Sequence, residues 1–145
     1  MDSNGTFHTI KEYLFANKSS DFAVLFLNSI YDQIRQHKVV TILAPTDEAL
    51  ARLAKLANMS VDGIVKYKEG RTILDNHISS HQFHPRTCSL YIAINGTRYD
   101  NSERDINALD IKSFLDIRYV RVYIVNKILC LDEQLEALRV ASTKK

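Results

Sequence analysis

The sequence predicts one α+β domain, and three observations support this class. The chain has 145 residues, about the length of one domain, and can bury roughly two thirds of its unfolded surface. Hydrophobic residues make up 46% and charged residues 25% of it, which is the balance of a globular domain. Apolar residues recur at helical spacing before Pro85 and alternate, as in strands, after it.

Two amphipathic helices are predicted before the first strand. The first runs from Thr9 to Ala16. Ser19 and Ser20 are candidate caps of the second, which runs from Asp21 to Gln36. Its inward stripe consists of Phe22, Leu25, Phe26, Ser29 and Ile30.

The clearest local signal is a strand that turns at once into a helix. Val39 to Ala44 is a β-branched apolar run, and Pro45 ends it because proline cannot donate to a ladder. Thr46 can cap a helix whose first two residues are acidic, which suits the positive end of the helix dipole. The helix then presents an apolar stripe of Ala49, Leu50, Leu53, Leu56 and Ala57.

Shorter elements are predicted in the remainder of the chain. Ser60 caps a helix that ends near Gly70, and Thr72 to Ser79 adds one or two amphipathic turns. A hairpin is predicted around the turn pair Asn95-Gly96. Tyr119 to Val125 alternates as a strand, with Val120, Val122 and Ile124 on one face. A C-terminal helix is predicted from Leu131, Leu135 and Leu138.

Three blocks of the sequence resemble fasciclin-type domains. Thr41 to Leu50 is similar to the family's hydrophobic pair followed by Ala-Pro-Thr. Ile73 to Ile78 is similar to its leucine-rich segment ending in Tyr-His, with Asn76 in place of the tyrosine. Val122 to Leu129 is similar to its last block, with a tyrosine for the usual histidine and Asn126 for the usual aspartate.

The resemblance implies an α+β wedge of two β-sheets packed with several short helices. It also implies a non-enzymatic role in protein–protein contact or adhesion. Residues 1–131 are predicted to form the fasciclin-like domain and residues 132–145 a C-terminal helical extension. Asn76 and His77 match a region assigned to receptor binding in some members and are candidate contact residues.

A second candidate contact face comes from the predicted strand at Tyr119 to Val125. Tyr119, Arg121 and Tyr123 share one side of this strand. Aromatic and arginine side chains are favoured at interface anchors, so an exposed face would suit a protein partner. Cover by a helix or by the C-terminal tail is the alternative.

The histidine-rich segment raises the question of a zinc site. His77, His81, His84 and Cys88 are four potential ligands, and the first two would share a helical face. No glutamate follows His77, and Pro85 interrupts the segment. A closed zinc site needs four ligands that converge on one point, and the interruption at Pro85 argues against such convergence. We therefore predict no metal.

Composition argues against several other function classes. The net charge of +2 and the scattered basic residues give no stripe that would track nucleic acid. No apolar run approaches the roughly 20 residues that span a bilayer. With 4 glycines, no loop can cradle phosphates, and we predict no cofactor. Ser79, Ser80 and His81 are only neighbours in sequence, so no catalytic residue is predicted.

The remaining expectations concern the cellular setting. Because Met1 to Thr6 lacks the features of a secretory signal, we expect a virion or another assembly built inside the cell. A minor capsid protein of a large virus is one such component, and a secreted or cell-surface adhesion protein that binds receptors or matrix is the alternative. Four sequons would carry glycans in that case, at Asn4, Asn17, Asn58 and Asn95. Cys88 and Cys130 are expected to be buried thiols, and a disulfide between them is left open.

Overall fold

The computed structural model of the chain describes residues 3–36, 40–75, 77–79, 91–94, 97–100, 111–128, 130 and 132–143. Its helices are α1 (Ser3–Ala16), α2 (Ser20–Arg35), α3 (Asp47–Leu56), α4 (Val61–Ile64), α5 (Lys68–Asp75) and α6 (Asp132–Thr143). Its strands are β1 (Val40–Pro45), β2 (Ile78–Ser79), β3 (Tyr91–Ile94), β4 (Thr97–Asp100), β5 (Ile111–Ile117) and β6 (Val120–Val125). The predicted α+β class is confirmed.

A mixed four-stranded sheet with the order β2-β1-β6-β5 lies at the centre of the fold. β1 runs parallel to β6, from Val40 opposite Val120 to Pro45 opposite Val125. β2 and β5 are antiparallel to their neighbours at the two edges. β3 and β4 form a separate antiparallel hairpin with Ile94 opposite Thr97, which confirms the predicted hairpin. The wedge of two packed sheets stays a prediction.

The helices pack on one face of the central sheet. Alternate residues of a strand point to opposite faces, and the helix-facing set is fully buried in both central strands. This set comprises Val40, Ile42 and Ala44 of β1 and Val120, Val122 and Ile124 of β6. The helices contribute the rest of the same apolar cluster, including Ile10, Leu14, Phe22, Ile30, Leu50, Ile73 and Leu74. The core is therefore a helix layer on a sheet.

Several helix boundaries and faces differ from the sequence-based predictions. α1 begins at Ser3 and not at Thr9. Leu56 is 61% exposed, because it lies off the stripe that Leu53, Ala54 and Ala57 complete. The predicted helix capped by Ser60 ends at Ile64, and Gly70 lies inside the next helix, α5.

Strand pairing overrides local helical periodicity after α5. The predicted amphipathic turns at Thr72 to Ser79 stop at Asp75, and Ile78–Ser79 pairs with β1 instead. β5 was not predicted, although the exposed residues of Ile111–Ile117 alternate with less exposed ones. It pairs with β6 through a two-residue connection, with Ile117 opposite Val120. The pairing of β2 is decided by a strand about 36 residues earlier in the sequence, which local periodicity does not reveal.

Gly70 lies where α5 crosses the end of α4. A Cβ atom built on it would stand 1.9 Å from the backbone oxygen of Ile64, so only glycine fits without a shift of backbone. We expect Gly70→Ala to lower the free energy of unfolding by about 3 kcal/mol or more. Gly63→Ala is the matched control, since its Cβ would meet mainly the Ser60 hydroxyl at 3.2 Å. Urea unfolding checks both, and equal losses in the two variants would contradict the close approach.

Candidate interaction surface

The turn from Pro45 to Asp47 fixes the end of the central strand pair. The backbone N–H of Thr46 donates to the carbonyl of Val125 at 3.0 Å. Its hydroxyl accepts from the N–H of Ala49 at 3.2 Å and donates to Oδ1 of Asn126 at 2.6 Å. The predicted cap at Thr46 is confirmed, and the same side chain ties the start of α3 to the end of β6.

Asp47 extends this junction to the first two helices. Its carboxylate accepts from the backbone N–H of Asp21 at 2.8 Å and from the hydroxyl of Ser20 at 3.0 Å. Its own N–H donates to the carbonyl of Lys18 at 2.8 Å. The hydroxyl of Ser19 donates to the carbonyl of Pro45 at 2.7 Å and does not cap α2. The acceptor at the start of α2 is therefore Asp47, which also suits the helix dipole.

The face of the sheet away from the helices carries a four-residue patch at β5 and β6. We call Phe114, Asp116, Arg121 and Tyr123 the β5–β6 patch. Phe114 lies opposite Tyr123, and their rings stack with centroids 5.7 Å apart. Asp116 lies opposite Arg121, and the carboxylate and guanidinium are 3.4 Å apart. Cross-strand pairs of these two kinds are the usual stabilising contacts of a sheet surface.

Exposure within the patch falls steeply from the edge strand to its neighbour. Phe114 is 55% exposed, whereas Tyr123 is 1% exposed. Burial raises the pKa of the Tyr123 hydroxyl, and the charge of Arg121 and a hydrogen bond from it partly oppose that rise. Arg121 therefore links the carboxylate of Asp116 to a neutral phenol. The patch presents one exposed aromatic ring on a buried one, beside a positioned guanidinium.

The sequence-predicted contact face is brought together only in part. Arg121 and Tyr123 belong to the β5–β6 patch, and Tyr123 is buried and stacked on Phe114. Tyr119 lies in the turn before β6, and its hydroxyl donates to the carbonyl of Ile34 at 2.6 Å. It packs against the core on the helix side of the sheet, next to α2.

Sequence reasoning missed the two patch residues that β5 supplies. Phe114 and Asp116 alternate with Leu115 and Ile117, a period-two pattern that would have indicated a half-buried strand. The interruption at Lys112, where a register shift leaves an extra residue, weakens the pattern.

His77 lies in the core and not at the surface. Its side chain is completely buried, and Nδ1 donates to the carbonyl of Ile73 at 3.1 Å. Its own carbonyl accepts from the N–H of Leu43 at 2.7 Å, which joins α5 to β1. Burial lowers the pKa of the imidazole to about 4, although its backbone contacts act in the opposite direction. Asn76 lies outside the described residues.

The other candidate residues divide between exposed, half-buried and undescribed positions. Three residues of the zinc hypothesis, His81, His84 and Cys88, lie outside the described residues. The described residues contain no group of three potential metal ligands. Cys130 is half-buried, and burial raises the pKa of its thiol to about 11. Of the sequons, Asn4 and Asn58 are exposed, Asn17 is half-buried and donates to the carbonyl of Tyr13, and Asn95 is not described.

The described surface includes cavities beside the junction and beside α6. One, of about 470 Å³, is bordered by the junction and by β5, with Lys18, Glu48 and Lys112 on its walls. The other, of about 730 Å³, separates the start of α5 from α6 and brings Lys66 and Lys68 near Glu133 and Glu136. Their charges are mixed in sign, so neither cavity selects one class of charged ligand.

The described residues form a small α+β domain whose distinctive features are the strand–turn–helix junction and a surface patch. Residues 17–131 match the family model of the Fasciclin domain. The chain therefore belongs to the fasciclin domain family, whose members are protein-interaction or adhesion modules. A search of curated proteins and a search of solved structures found no match. No helix among the described residues is long and apolar enough to cross a membrane.

Thr46 offers a direct test of the junction. Thr46→Ala removes the helix cap and the hydrogen bond to Asn126, so we expect the free energy of unfolding to fall by about 2 kcal/mol. Thr46→Ser keeps the hydroxyl and should change it by roughly 0.5 kcal/mol or less. Urea unfolding measures both. A serine variant as unstable as the alanine variant would assign the effect to the lost methyl group.

Burial of His77 predicts a pH-dependent stability. Its pKa is about 4 in the folded chain and 6.5 when unperturbed, so between these values the unfolded chain binds a proton that the folded chain does not. Stability therefore falls as the pH drops from 6.5 to 4, by roughly 3 kcal/mol in total, and the group contributes no pH dependence above this window.

The pH dependence is measured by urea unfolding of variants across this range. His77→Asn keeps a side-chain donor but removes the titrating group. It should lower the slope of the free energy of unfolding against pH by about 1.4 kcal/mol per pH unit, the value for one bound proton. His8→Asn, at an exposed position of α1, is the control and should retain the profile. An unchanged profile in the His77 variant would show that another group titrates.

Proposed function

We propose that this chain is a non-enzymatic protein-interaction module that contacts its partner through the β5–β6 patch. The observation that supports this most directly is the 55% exposure of Phe114. Covering a large exposed aromatic side chain with a partner removes much apolar surface from water, which stabilises the complex. Aromatic and arginine residues also contribute most of the binding energy at many interfaces.

The patch is suited to binding because its side chains are already positioned. The ring of Phe114 rests on Tyr123, and Arg121 is held by Asp116. Side chains that are ordered before association lose less conformational entropy on binding. The partner expected from this chemistry covers the ring with an apolar side chain and places polar or charged groups beside it.

The proposal includes a division of the chain and a fold for the domain. We propose residues 1–131 as the fasciclin-like domain with a wedge of two sheets, and residues 132–145 as an extension that docks on it. Support for docking comes from α6, where Leu138 is fully buried and the Ser142 hydroxyl donates to the carbonyl of Ala57 at 3.2 Å.

Two settings for this interaction role remain hypotheses from the sequence. One is a component of a larger assembly, for which a minor capsid protein of a large virus is the specific example. The other is a secreted or cell-surface adhesion protein. Glycan analysis of native material separates them: occupied sites at Asn4 or Asn58, the exposed sequons of the described residues, favour adhesion.

Site-specific photo-crosslinking tests the interaction role. The photo-reactive residue p-benzoylphenylalanine replaces Phe114 in one sample and Val24 of α2, which is 63% exposed, in the other. In extracts of the native source, we expect a defined adduct at position 114 and none at position 24. Equal labelling at the two positions would contradict the assignment of the patch.

Affinity for the crosslinked partner gives the quantitative test. Phe114→Ser should weaken binding tenfold or more, about 1.4 kcal/mol, because it removes the exposed anchor. Val24→Ser removes a comparably exposed apolar side chain outside the patch and should leave the affinity unchanged. An unchanged affinity in the Phe114 variant would remove the patch from the interface.

A further inference from the structure

Some backbone N–H and carbonyl groups of β5 point away from β6, toward the outer edge of the sheet. The N–H of Val40 donates to the carbonyl of Tyr119, and that of Thr46 donates to the carbonyl of Val125. Odd-numbered residues of β6 therefore point their backbone groups toward β1. Because these groups alternate in direction along a strand, the even-numbered residues of β6 point toward β5.

The same alternation identifies the outward groups of β5. Val122 lies opposite Leu115 and Ile124 lies opposite Ser113, so these two β5 residues bond to β6. Phe114 and Asp116 then direct their N–H and carbonyl groups to the outer edge. Among the described strands β5 is bonded on one side, and it is seven residues long. An edge of this length can accept another strand.

We propose that β5 pairs antiparallel with β5 of a second copy of this chain, around a two-fold axis at Phe114. In this register Phe114 lies opposite Phe114 of the second copy, and their outward backbone groups bond to each other. Lys112 lies opposite Asp116 of the second copy, and Asp116 lies opposite Lys112 of the second copy. This inference rests on the proposed interaction role and names its partner.

Charge complementarity selects a second copy as the occupant. Lys112 and Asp116 are both exposed and lie two residues to either side of the exposed Phe114. A two-fold axis at Phe114 turns this spacing into two opposite-charge pairs and one aromatic pair, all of which stabilise adjacent strands. Moving the axis to Ser113 or Leu115 would oppose Phe114 with a charged residue. An isologous contact of this kind closes as a dimer.

The register shift at the start of β5 limits the length of the pairing. Lys112 is the extra residue between Ile111 and Ser113, and such a bulge ends the regular edge. The regular backbone pairing is therefore confined to residues 113–115 of each copy, and the side chains of Lys112 and Asp116 meet at its two ends. Asp116 keeps its contact with Arg121, so the dimer extends the existing charge pair of the patch and does not replace it.

Isotope-mixed crosslinking tests the register directly. Full-length ¹⁴N and ¹⁵N chains are mixed and treated with a carbodiimide, which activates a carboxylate so that a lysine amine in contact forms an amide with it. We expect peptides that join Lys112 of one isotope to Asp116 of the other. Dimers without this crosslink would overturn the proposed register, and a chain that stays monomeric would overturn the dimer.

Charge variants test the pairing by sedimentation equilibrium. Lys112→Asp places like charges opposite each other twice and should weaken dimerisation about tenfold. Asp116→Lys, as a single variant, should also weaken dimerisation about tenfold. A mixture of the two variants restores both opposite-charge pairs in a heterodimer, so we expect it to associate about as well as the unaltered chain. Lys127→Asp, at an exposed residue beyond β6, is the control and should leave dimerisation unchanged.

These outcomes separate the dimer from the interaction role itself. If the single variants dimerise as well as the unaltered chain, or the mixture associates no better than each variant alone, the inference is wrong. If p-benzoylphenylalanine at position 114 then labels a different protein, the interaction role stands with another partner. Circular dichroism of each variant verifies that the fold is retained.

Discussion

The fold depends on the hydrogen-bonded turn that joins β1 to α3. Thr46 and Asp47 connect three segments that are distant in sequence: the loop between α1 and α2, the end of β6, and the start of α3. Parallel pairing of β1 with β6 brings together residues about 80 positions apart, and such pairs are entropically costly to form. The junction fixes this pair at one end, and the buried apolar faces of both strands complete it.

Local chemistry explains which parts of this fold the sequence predicts. The proline, the capping threonine and the helical stripe of the junction act within a dozen residues, so the strand, the cap and the helix were all predicted correctly. The pairing of β3 with β4 is equally local. By contrast, β2 forms only because β1 offers it an edge, and the parallel partner of β1 has no signature within either strand.

The candidate site was predicted less completely than the fold, again for a physical reason. Aromatic and arginine residues at β6 indicated a contact surface, but their exposure depends on the neighbouring strand. Tyr123 is buried and stacks on Phe114, and the exposed aromatic ring of this face lies on the edge strand. His77 shows the same dependence, since its burial follows from the docking of α5 against β1 and not from the residues beside it.

A long edge strand can pair with the wrong chains, and charges and bulges are common means of preventing this. β5 has both, in Lys112, Asp116 and its register shift. Charges of one sign would repel every copy in every register. Opposite charges at equal distances from Phe114 instead disfavour most registers and favour one, so the features that protect this edge from general aggregation also specify a single symmetric partner. The position of the exposed aromatic ring between them places the strongest apolar contact on the symmetry axis, where both copies bury it together.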